Sequence, residues 1–283
     1  MESEPLRVRR SDRVTLAGER RGRRGAPAVV FLHANVVDRR SWHAVFDALG
    51  DEFDLIAYDR RGFGETPLGD PEEPFTHLDD LVAVLDAAGV ERPVLVGNSM
   101  GGAVALDLAA TAPQRVASVL LLSGGASGMT DEGEDVTYEL DPGTAEVVEA
   151  LDRAETAGDI DEQVRINLHL WLDGPTQREG RVGGPARELA AEMNRRVLTV
   201  GAPDDAGDSR LDTWHDLGSI DVPVLAAWGD LDIPADHHWY AVTADRLPRA
   251  TSRVLHGSAH LPPLDQPELV AALVREVVAG RAT

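Results

Sequence analysis

A single serine between small residues is the first feature of this chain that could do chemistry. The segment "GNSMG", residues 97–101, matches the pattern G-x-S-x-G, and it joins the apolar run "PVLVGN" to a helical pattern over residues 100–110. A hydroxyl at such a junction is either a helix cap or a nucleophile. A cap does not call for glycine on both sides, whereas a sharp turn that holds a serine in a strained conformation needs small neighbours. We therefore interpret Ser99 as a nucleophile.

A serine hydroxyl reacts only when a base activates it and an acid orients that base. Of the nine histidines, His260 lies in "LHGSAHLPPLDQPE", a loop of small residues that returns a side chain to the carboxyl end of the predicted sheet. The strand "VPVLAAWGD" leads to two candidate acids, Asp230 and Asp232. We prefer Asp232, which directly precedes Ile-Pro where the chain turns away, and we assign Asp230 to the turn. His256 is predicted to lie inside the last strand as a structural residue.

These residues must be positioned by an alternation of strands and helices. Continuous apolar runs such as "APAVVFLH" and "FDLIAYD" predict strands buried on both faces, and "RRSWHAVFDAL" and "HLDDLVAVLDAAGV" predict helices with one apolar face. Two short alternating segments, residues 6–10 and 13–17, suggest an antiparallel hairpin at the sheet edge. A last helix is predicted over residues 264–278. The pattern is that of an α/β fold with a mostly parallel sheet.

From Gly124 to about Asp216 the pattern changes to acidic, glycine-rich and helical segments without a strong strand. We therefore predict one α/β core in two parts, residues 1–123 and 217–283, interrupted by a helical cap, residues 124–216. One predicted cap helix has an apolar face formed by Ile160, Val164, Leu168, Trp171 and Leu172. The polar or aromatic cap residues that we expect to contact a substrate are Asn167, His169, Trp171 and Asn194.

Composition excludes several kinds of chemistry. The 283 residues include no Cys and no Lys, which excludes thiol nucleophiles, thiolate-bound metals, a P-loop lysine and a Schiff-base lysine. The net charge of −22 argues against nucleic acid and anionic membranes as partners. No apolar stretch approaches the ~20 residues that span a bilayer, and the charged N-terminus lacks a signal-peptide core. We expect a cytoplasmic protein with no membrane partner. The sequence predicts no particular oligomeric state.

Five motifs, in this order and spacing, resemble the α/β-hydrolase fold superfamily: "VVFLHANVVDRRSW", "YDRRGFGET", "GNSMGG", "WGDLDIP" and "GSAHLPPLDQPE". The resemblance implies an eight-stranded sheet with helices on both faces and a helical cap inserted after strand 6. It also implies an oxyanion hole formed by the backbone N–H groups of Met100 and Asn35. The loop of Asn35 has alanine where His-Gly-x is usual. By the same resemblance, His33 is structural and Asp59 belongs to a local ion pair.

The predicted function is that of a serine hydrolase that cleaves a small carboxylic ester or lactone through an acyl-enzyme intermediate, with no metal or organic cofactor. The acidic cap favours neutral or cationic over anionic substrates, and we expect a neutral small molecule.

A carbon–carbon bond hydrolase of the meta-cleavage type is one alternative, since "GNSMGG" is common there. Those enzymes tend to carry a different oxyanion loop and a Trp after the catalytic His, where this chain has Leu261. The other alternative is a non-hydrolytic ligand-binding protein on the same fold, although the chain retains all three triad residues. A perhydrolase would use the same triad.

Overall fold

An eight-stranded sheet is the frame that positions the candidate site. The computed structural model describes residues 3–70, 72–129, 138–200 and 207–280. The strands are β1 (Glu4–Arg9), β2 (Thr15–Gly22), β3 (Ala28–Leu32), β4 (Asp54–Tyr58), β5 (Val94–Asn98), β6 (Ser118–Leu122), β7 (Val224–Gly229) and β8 (Ala250–Leu255). Their order across the sheet is β1-β2-β4-β3-β5-β6-β7-β8. Only the β1–β2 and β2–β4 pairs are antiparallel, so the predicted α/β fold class is confirmed.

Helices connect the strands and supply most of the inserted segment. They are α1 (His43–Leu49), α2 (His77–Ala88), α3 (Met100–Thr111), α4 (Pro142–Ala157), α5 (Ile160–Asn167), α6 (Gly184–Val200), α7 (Thr213–Asp216), α8 (Pro234–Arg246), α9 (Pro262–Asp265) and α10 (Pro267–Val278). Short 3₁₀ turns cover Arg39–Trp42, Pro113–Arg115 and Leu217–Ser219, and a π-helical turn covers Leu168–Asp173. Within the described ranges, no helix has the length and apolar character needed to cross a membrane.

The core lies on both faces of the sheet because successive strand residues point to opposite sides. On β3, Val30 and Leu32 pack into the cluster that covers α2, α3 and α8. Val29 and Phe31 face the other way, into the cluster of α1 and α10. Burial of the central strands on both sides explains why they read as continuous apolar runs.

Two predictions about the C-terminal part are wrong in detail. The single helix predicted over residues 264–278 is two helices, because Gln266, in front of Pro267, leaves the helical region with φ −137° and ψ 62°, and a residue before proline avoids helical geometry. His256 lies just beyond the end of β8 and is exposed, with Nδ1 2.9 Å from Asp230 Oδ2. It is therefore a loop residue, and Asp230 holds it as part of the turn.

The inserted segment between β6 and β7 carries α4, α5 and α6, and its residues 130–137 and 201–206 lie outside the described ranges. Val164, Leu168 and Met193 pack in a third apolar cluster. The same cluster contains Ala34, from the loop after β3, and Leu261, next to His260. The helical segment is thus seated on the carboxyl end of the sheet, over the loops that carry the predicted site residues.

A buried carboxylate on α3 connects the two ends of this inserted segment. Asp107, 2% exposed, accepts hydrogen bonds from Ser127 at 2.9 Å, from Ser209 at 2.6 Å and from Thr213 at 2.6 Å. Burial raises the pKa of Asp107, and the three hydroxyl donors oppose that rise. Ser127 precedes α4, whereas Ser209 and Thr213 follow α6. The side chain of Asp107 therefore holds both ends of the inserted segment.

Candidate active site

Ser99 is the single residue between the end of β5 and the start of α3. Its backbone has a conformation that only glycine adopts readily. Its φ is 54° and its ψ is −124°, a strained geometry that costs on the order of 1–3 kcal/mol. The backbone around it is fixed, since Ser99 N donates to Leu122 O at 2.9 Å and Gly102 N donates to Ser99 O at 2.8 Å. The hydroxyl makes no capping hydrogen bond to α3. The geometry therefore gives no support to the alternative that Ser99 is a helix cap.

The glycines around Ser99 are required by the close approach of backbone to backbone. A Cβ added at Gly97 would lie 2.5 Å from Gly101 O. A Cβ added at Gly101 would overlap Leu32 O, at the end of β3, and would lie 2.9 Å from His33 O. Real Cβ atoms do not approach other heavy atoms so closely. The turn thus requires glycine at both predicted positions.

His260 and Asp232 form a buried pair at the same end of the sheet. His260 Nδ1 lies 2.9 Å from Asp232 Oδ2 and 3.2 Å from Oδ1, and the two residues are 6% and 1% exposed. Because a carboxylate only accepts, Nδ1 carries the proton and Nε2 is left to accept one. A further hydrogen bond, from Ile233 N to Asp232 Oδ1 at 2.8 Å, holds the carboxylate in place.

The charges of this pair stabilise each other. Burial would raise the pKa of Asp232, but the charge and hydrogen bond of His260 outweigh burial and lower it. Burial would lower the pKa of His260, but the charge and hydrogen bond of Asp232 outweigh burial and raise it. Asp232 is therefore held as a carboxylate, and the imidazolium form of His260 is favoured relative to a free histidine.

The loops after β7 and β8 meet through a backbone–backbone hydrogen bond and a hydrogen bond from backbone to side chain. Leu231 N donates to Ser258 O at 2.9 Å, and Gly257 N donates to Asp230 Oδ1 at 2.7 Å. A Cβ added at Gly229 would lie 2.6 Å from Ala259 O, so the glycine allows this approach. The contacts explain how Asp232 and His260, 28 residues apart in the chain, come together.

Three side chains that the sequence analysis did not single out support the pair. Tyr240 donates its buried hydroxyl to Asp232 Oδ2 at 3.1 Å. Asn98, next to Ser99, donates from Nδ2 to His260 O at 3.0 Å and to Leu122 O at 3.1 Å. Arg181 binds the loop of His260 from the inserted segment. Only Asn98 carried a signal in the sequence, because it lies inside G-x-S-x-G.

All three guanidinium nitrogens of Arg181 donate hydrogen bonds, and together they connect the inserted segment to the loop of His260. It donates to Leu172 O and Asp173 O at 2.8 and 2.7 Å, and to Gly257 O at 2.9 Å. It also pairs with Asp265 at 2.7 Å, and Asp265 in turn accepts from Ala259 N at 3.1 Å. Arg181 therefore ties the last turn before Gly174 to the backbone that precedes His260 and to the carboxylate of Asp265 that follows it.

Ser99 and His260 line one cavity of about 260 Å³. The rest of its wall comes from Met100, Ala103, Ser123, Gly124, Gly125, Ala126, Met129, Trp171, Asp236, Trp239 and Tyr240. Across the described residues, no hydrogen bond joins the Ser99 hydroxyl to His260, a contact that in ligand-free enzymes often tightens only with substrate. The shared cavity puts both groups within reach of one small molecule.

The two predicted oxyanion donors differ in how the structure places them. Met100 lines the cavity at the N-terminus of α3, where the helix dipole favours negative charge. Asn35 is not among the residues that line it, and its side-chain oxygen accepts from Arg60 Nη2 at 2.8 Å. Its loop nevertheless borders the turn of Ser99, as the approach of His33 O to Gly101 requires. The backbone N–H of Asn35 stays a prediction.

Two further polar residues near this loop have structural partners. His33 is buried, and its Nδ1 lies 2.8 Å from Ala34 O while Nε2 accepts from Arg60 N at 3.1 Å. Burial and the charge of Arg60 lower the pKa of His33 well below its usual value. Asp59 pairs with the Arg39 guanidinium and accepts from Glu65 N at 2.8 Å, and burial raises its pKa to about 6.

The four residues predicted to contact substrate from the cap lie in different environments. Trp171 lines the cavity, and its ring centroid is 4.7 Å from that of His260. Asn167 accepts from Trp171 Nε1 at 3.2 Å, His169 Nε2 lies 2.9 Å from Gln177 O, and Asn194 donates to Val36 O at 3.2 Å. None of these three lines the cavity, so substrate contact by Asn167, His169 and Asn194 stays a prediction.

Within the part of the chain that the structure describes, no group of three His, Asp or Glu side chains has an arrangement that could hold a metal ion.

Known proteins that resemble this chain indicate the family to which it belongs. A family model described as "alpha/beta hydrolase fold" matches residues 27–267. The chain is 30% identical over 262 residues to a pimeloyl-[acyl-carrier protein] methyl ester esterase of Neisseria meningitidis serogroup B, covering 89% of this chain and 93% of that protein. It is also 30% identical over 269 residues to the dihydrolipoyllysine-residue acetyltransferase component of the acetoin cleaving system of Cupriavidus necator, covering 90% of this chain. The match spans 64% of the length of that second relative.

A solved structure described as "Est816 as an N-Acyl homoserine lactone degrading enzyme" superposes on this chain with a TM-score of 0.69. The two sequences are 26% identical, and the match covers 95% of this chain and 99% of that one. The relatives thus include proteins named for ester and for lactone chemistry.

The tight turn at Ser99 predicts the effect of one added methyl group. Gly101→Ala places a Cβ against the backbone of β3, and such overpacking costs roughly 1–3 kcal/mol or displaces the turn. We expect a lower free energy of unfolding in urea and loss of reactivity at Ser99. Gly218→Ala is the matched control, because its added Cβ meets no atom within 4 Å. Equal stability and activity of the two variants would contradict the packing argument.

Proposed function

Since this chain belongs to the alpha/beta hydrolase fold family, we propose that it is a serine hydrolase that cleaves a small carboxylic ester or lactone through an acyl-enzyme intermediate. The observation that carries the proposal is that the strained Ser99 shares a cavity with His260, whose ring is held by the buried Asp232. Similarity to a methyl ester esterase and to a lactone-degrading enzyme supports the choice of bond.

In the first step, Ser99 Oγ attacks the carbonyl carbon of the substrate while His260 Nε2 takes the hydroxyl proton. The carbonyl oxygen becomes an oxyanion, which the backbone N–H groups of Met100 and Asn35 stabilise. Each such donor is worth about 3–4 kcal/mol of barrier. The alkoxide leaves with the proton from His260, and the acyl group stays on Ser99.

In the second step, His260 removes a proton from water, and the resulting attack on the acyl carbonyl restores Ser99 and releases the acid. Asp232 stays ionised throughout, because its role is to hold the imidazole ring and to balance the charge of the imidazolium. Tyr240 keeps the carboxylate oriented through its hydrogen bond to Oδ2. No step requires a metal or an organic cofactor.

Residues 124–216 act as the cap over this site in our proposal. Trp171 contacts the ring of His260 from a π-helical turn, an irregularity that is frequent at functional sites. Arg181 ties the same turn to the loop of His260. The cap would therefore select the substrate and also help to hold the base.

Removal of the nucleophile separates this proposal from its alternatives. We expect Ser99→Ala to lower kcat for p-nitrophenyl butyrate and for a simple lactone by at least about 1,000-fold, because the acyl-enzyme no longer forms. The measurement is a stopped-flow progress curve, in which a burst of p-nitrophenol in the wild type disappears in the variant. Circular dichroism and urea unfolding serve as folding controls.

Different outcomes would support the alternatives. Turnover only of a vinylogous diketone, and of no ester or lactone, would favour the carbon–carbon bond hydrolase. Tight binding of a ligand without turnover by the wild type would favour a binding protein. Full esterase activity in Ser99→Ala would contradict the proposed nucleophile.

The raised pKa of His260 predicts the pH dependence. Only the neutral imidazole can accept the proton of Ser99, so activity falls as pH decreases through this pKa. Because Asp232 raises it, the acid limb of kcat/KM should lie above pH 6.5, the ordinary value. Asp232→Asn should move the limb to lower pH and reduce kcat by roughly 1,000- to 10,000-fold. An unchanged limb in this variant would contradict the assignment of Asp232.

A further inference from the structure

The cavity wall has a composition that the proposed mechanism does not use. Three aromatic residues, Trp171, Trp239 and Tyr240, line it together with small apolar residues. Among the described residues that line the cavity, the ionisable ones are His260, Tyr240 and Asp236. Asp236 is the only one of them that carries a carboxyl group. Hydrolysis of a neutral ester needs no such carboxylate.

No arginine pairs with Asp236 in the described parts of the chain. It lies in the first turn of α8, half-buried, and its Oδ1 accepts a hydrogen bond from the hydroxyl of Tyr138 at 2.8 Å. The titratable groups that act on it are Asp232, Tyr138, His260 and His237, with no arginine among them. Burial and the charge of Asp232 raise the pKa of Asp236, and the hydrogen bond from Tyr138 and the charges of His260 and His237 oppose that rise only in part.

Aromatic rings and a carboxylate without an arginine partner together attract one class of ligand group. The faces of Trp and Tyr rings bind ammonium groups through their quadrupoles, most effectively for quaternary and methylated ammonium groups that shed water easily. A carboxylate adds direct Coulomb attraction, which is strong where water is excluded. The same wall would repel a substrate that carries a carboxylate or a phosphate.

We propose that the wall formed by Asp236, Trp171, Trp239 and Tyr240 is a subsite for a positively charged ammonium group. The substrate would then be a small ester or lactone that carries a tertiary or quaternary ammonium group. This inference rests on the proposed hydrolase function and deepens it. It departs from the neutral substrate expected from the sequence, since that expectation used the overall charge of the cap and did not locate an acid inside the cavity.

A carboxylate in the first turn of a helix also stabilises the helix dipole, and Asp236 does this whatever the substrate is. Glu268 also lies in the first turn of its helix, α10, and it is exposed and outside the cavity. Glu268→Gln therefore removes a helix-terminal charge without changing the cavity wall. It is the matched control for Asp236→Asn.

The test uses two esters of the same shape and different charge. p-Nitrophenyl 4-(trimethylammonio)butyrate and p-nitrophenyl 5,5-dimethylhexanoate differ only in the nitrogen or carbon that carries three methyl groups. We expect wild-type kcat/KM to favour the cationic ester by roughly 10- to 100-fold, from cation–π contacts and the Coulomb attraction of the carboxylate together. Asp236→Asn should reduce this ratio about tenfold or more, mainly through KM. Glu268→Gln should preserve it, since this variant keeps the carboxylate of Asp236.

Binding provides a second readout that does not need turnover. Choline and its neutral isostere 3,3-dimethylbutan-1-ol can be titrated calorimetrically into the wild type and into Asp236→Asn. Tighter binding of choline, lost in the variant, would support the ammonium subsite even if neither ester were hydrolysed, and only the hydrolase proposal would then fail. Hydrolysis of both esters at equal kcat/KM, with no preference for choline, would overturn the subsite and leave the hydrolase proposal intact. Absence of both hydrolysis and choline binding would overturn both.

Discussion

The approach of α3 to the end of β3 is the constraint on which the rest of the site depends. With glycine at 97 and 101, the helix can begin directly against the backbone of Leu32, and the chain must reverse within one residue. That residue is Ser99, and its φ of 54° is the strained backbone conformation that the turn imposes. Because the hydroxyl makes no hydrogen bond to its own helix, it is left on the cavity wall next to a helix N-terminus.

A second requirement is that three loops from separate parts of the chain meet at this turn. The parallel strands β5, β7 and β8 have their carboxyl ends on the same side of the sheet, which brings their loops near one another. Backbone hydrogen bonds such as that from Leu231 N to Ser258 O align the loops after β7 and β8. Asn98 then joins the turn of Ser99 to the backbone of His260. Such preorganisation matters because a misplaced base loses much of its catalytic effect.

The fold and the central residues could be predicted because each leaves a local mark in the sequence. Buried strands read as apolar runs, and the turn at Ser99 demands glycine at fixed positions. Tyr240 and Arg181 left no such mark, since a tyrosine eight residues after Asp232 or an arginine in a loop of the inserted segment reaches the site only through tertiary packing. His256 was misplaced because strand ends depend on pairing with the neighbouring strand. The acid inside the cavity, Asp236, was also invisible, because its helix position says nothing about which cavity it faces.

A crystal structure of the protein after reaction with an alkyl fluorophosphonate would test the central claim most directly. The account predicts one adduct, with phosphorus bonded to Ser99 Oγ and the phosphoryl oxygen within about 3 Å of the backbone nitrogens of Met100 and Asn35. His260 Nε2 should face the adduct from the other side. Absence of any adduct, or attachment to another residue while Ser99 stays unmodified, would contradict the account.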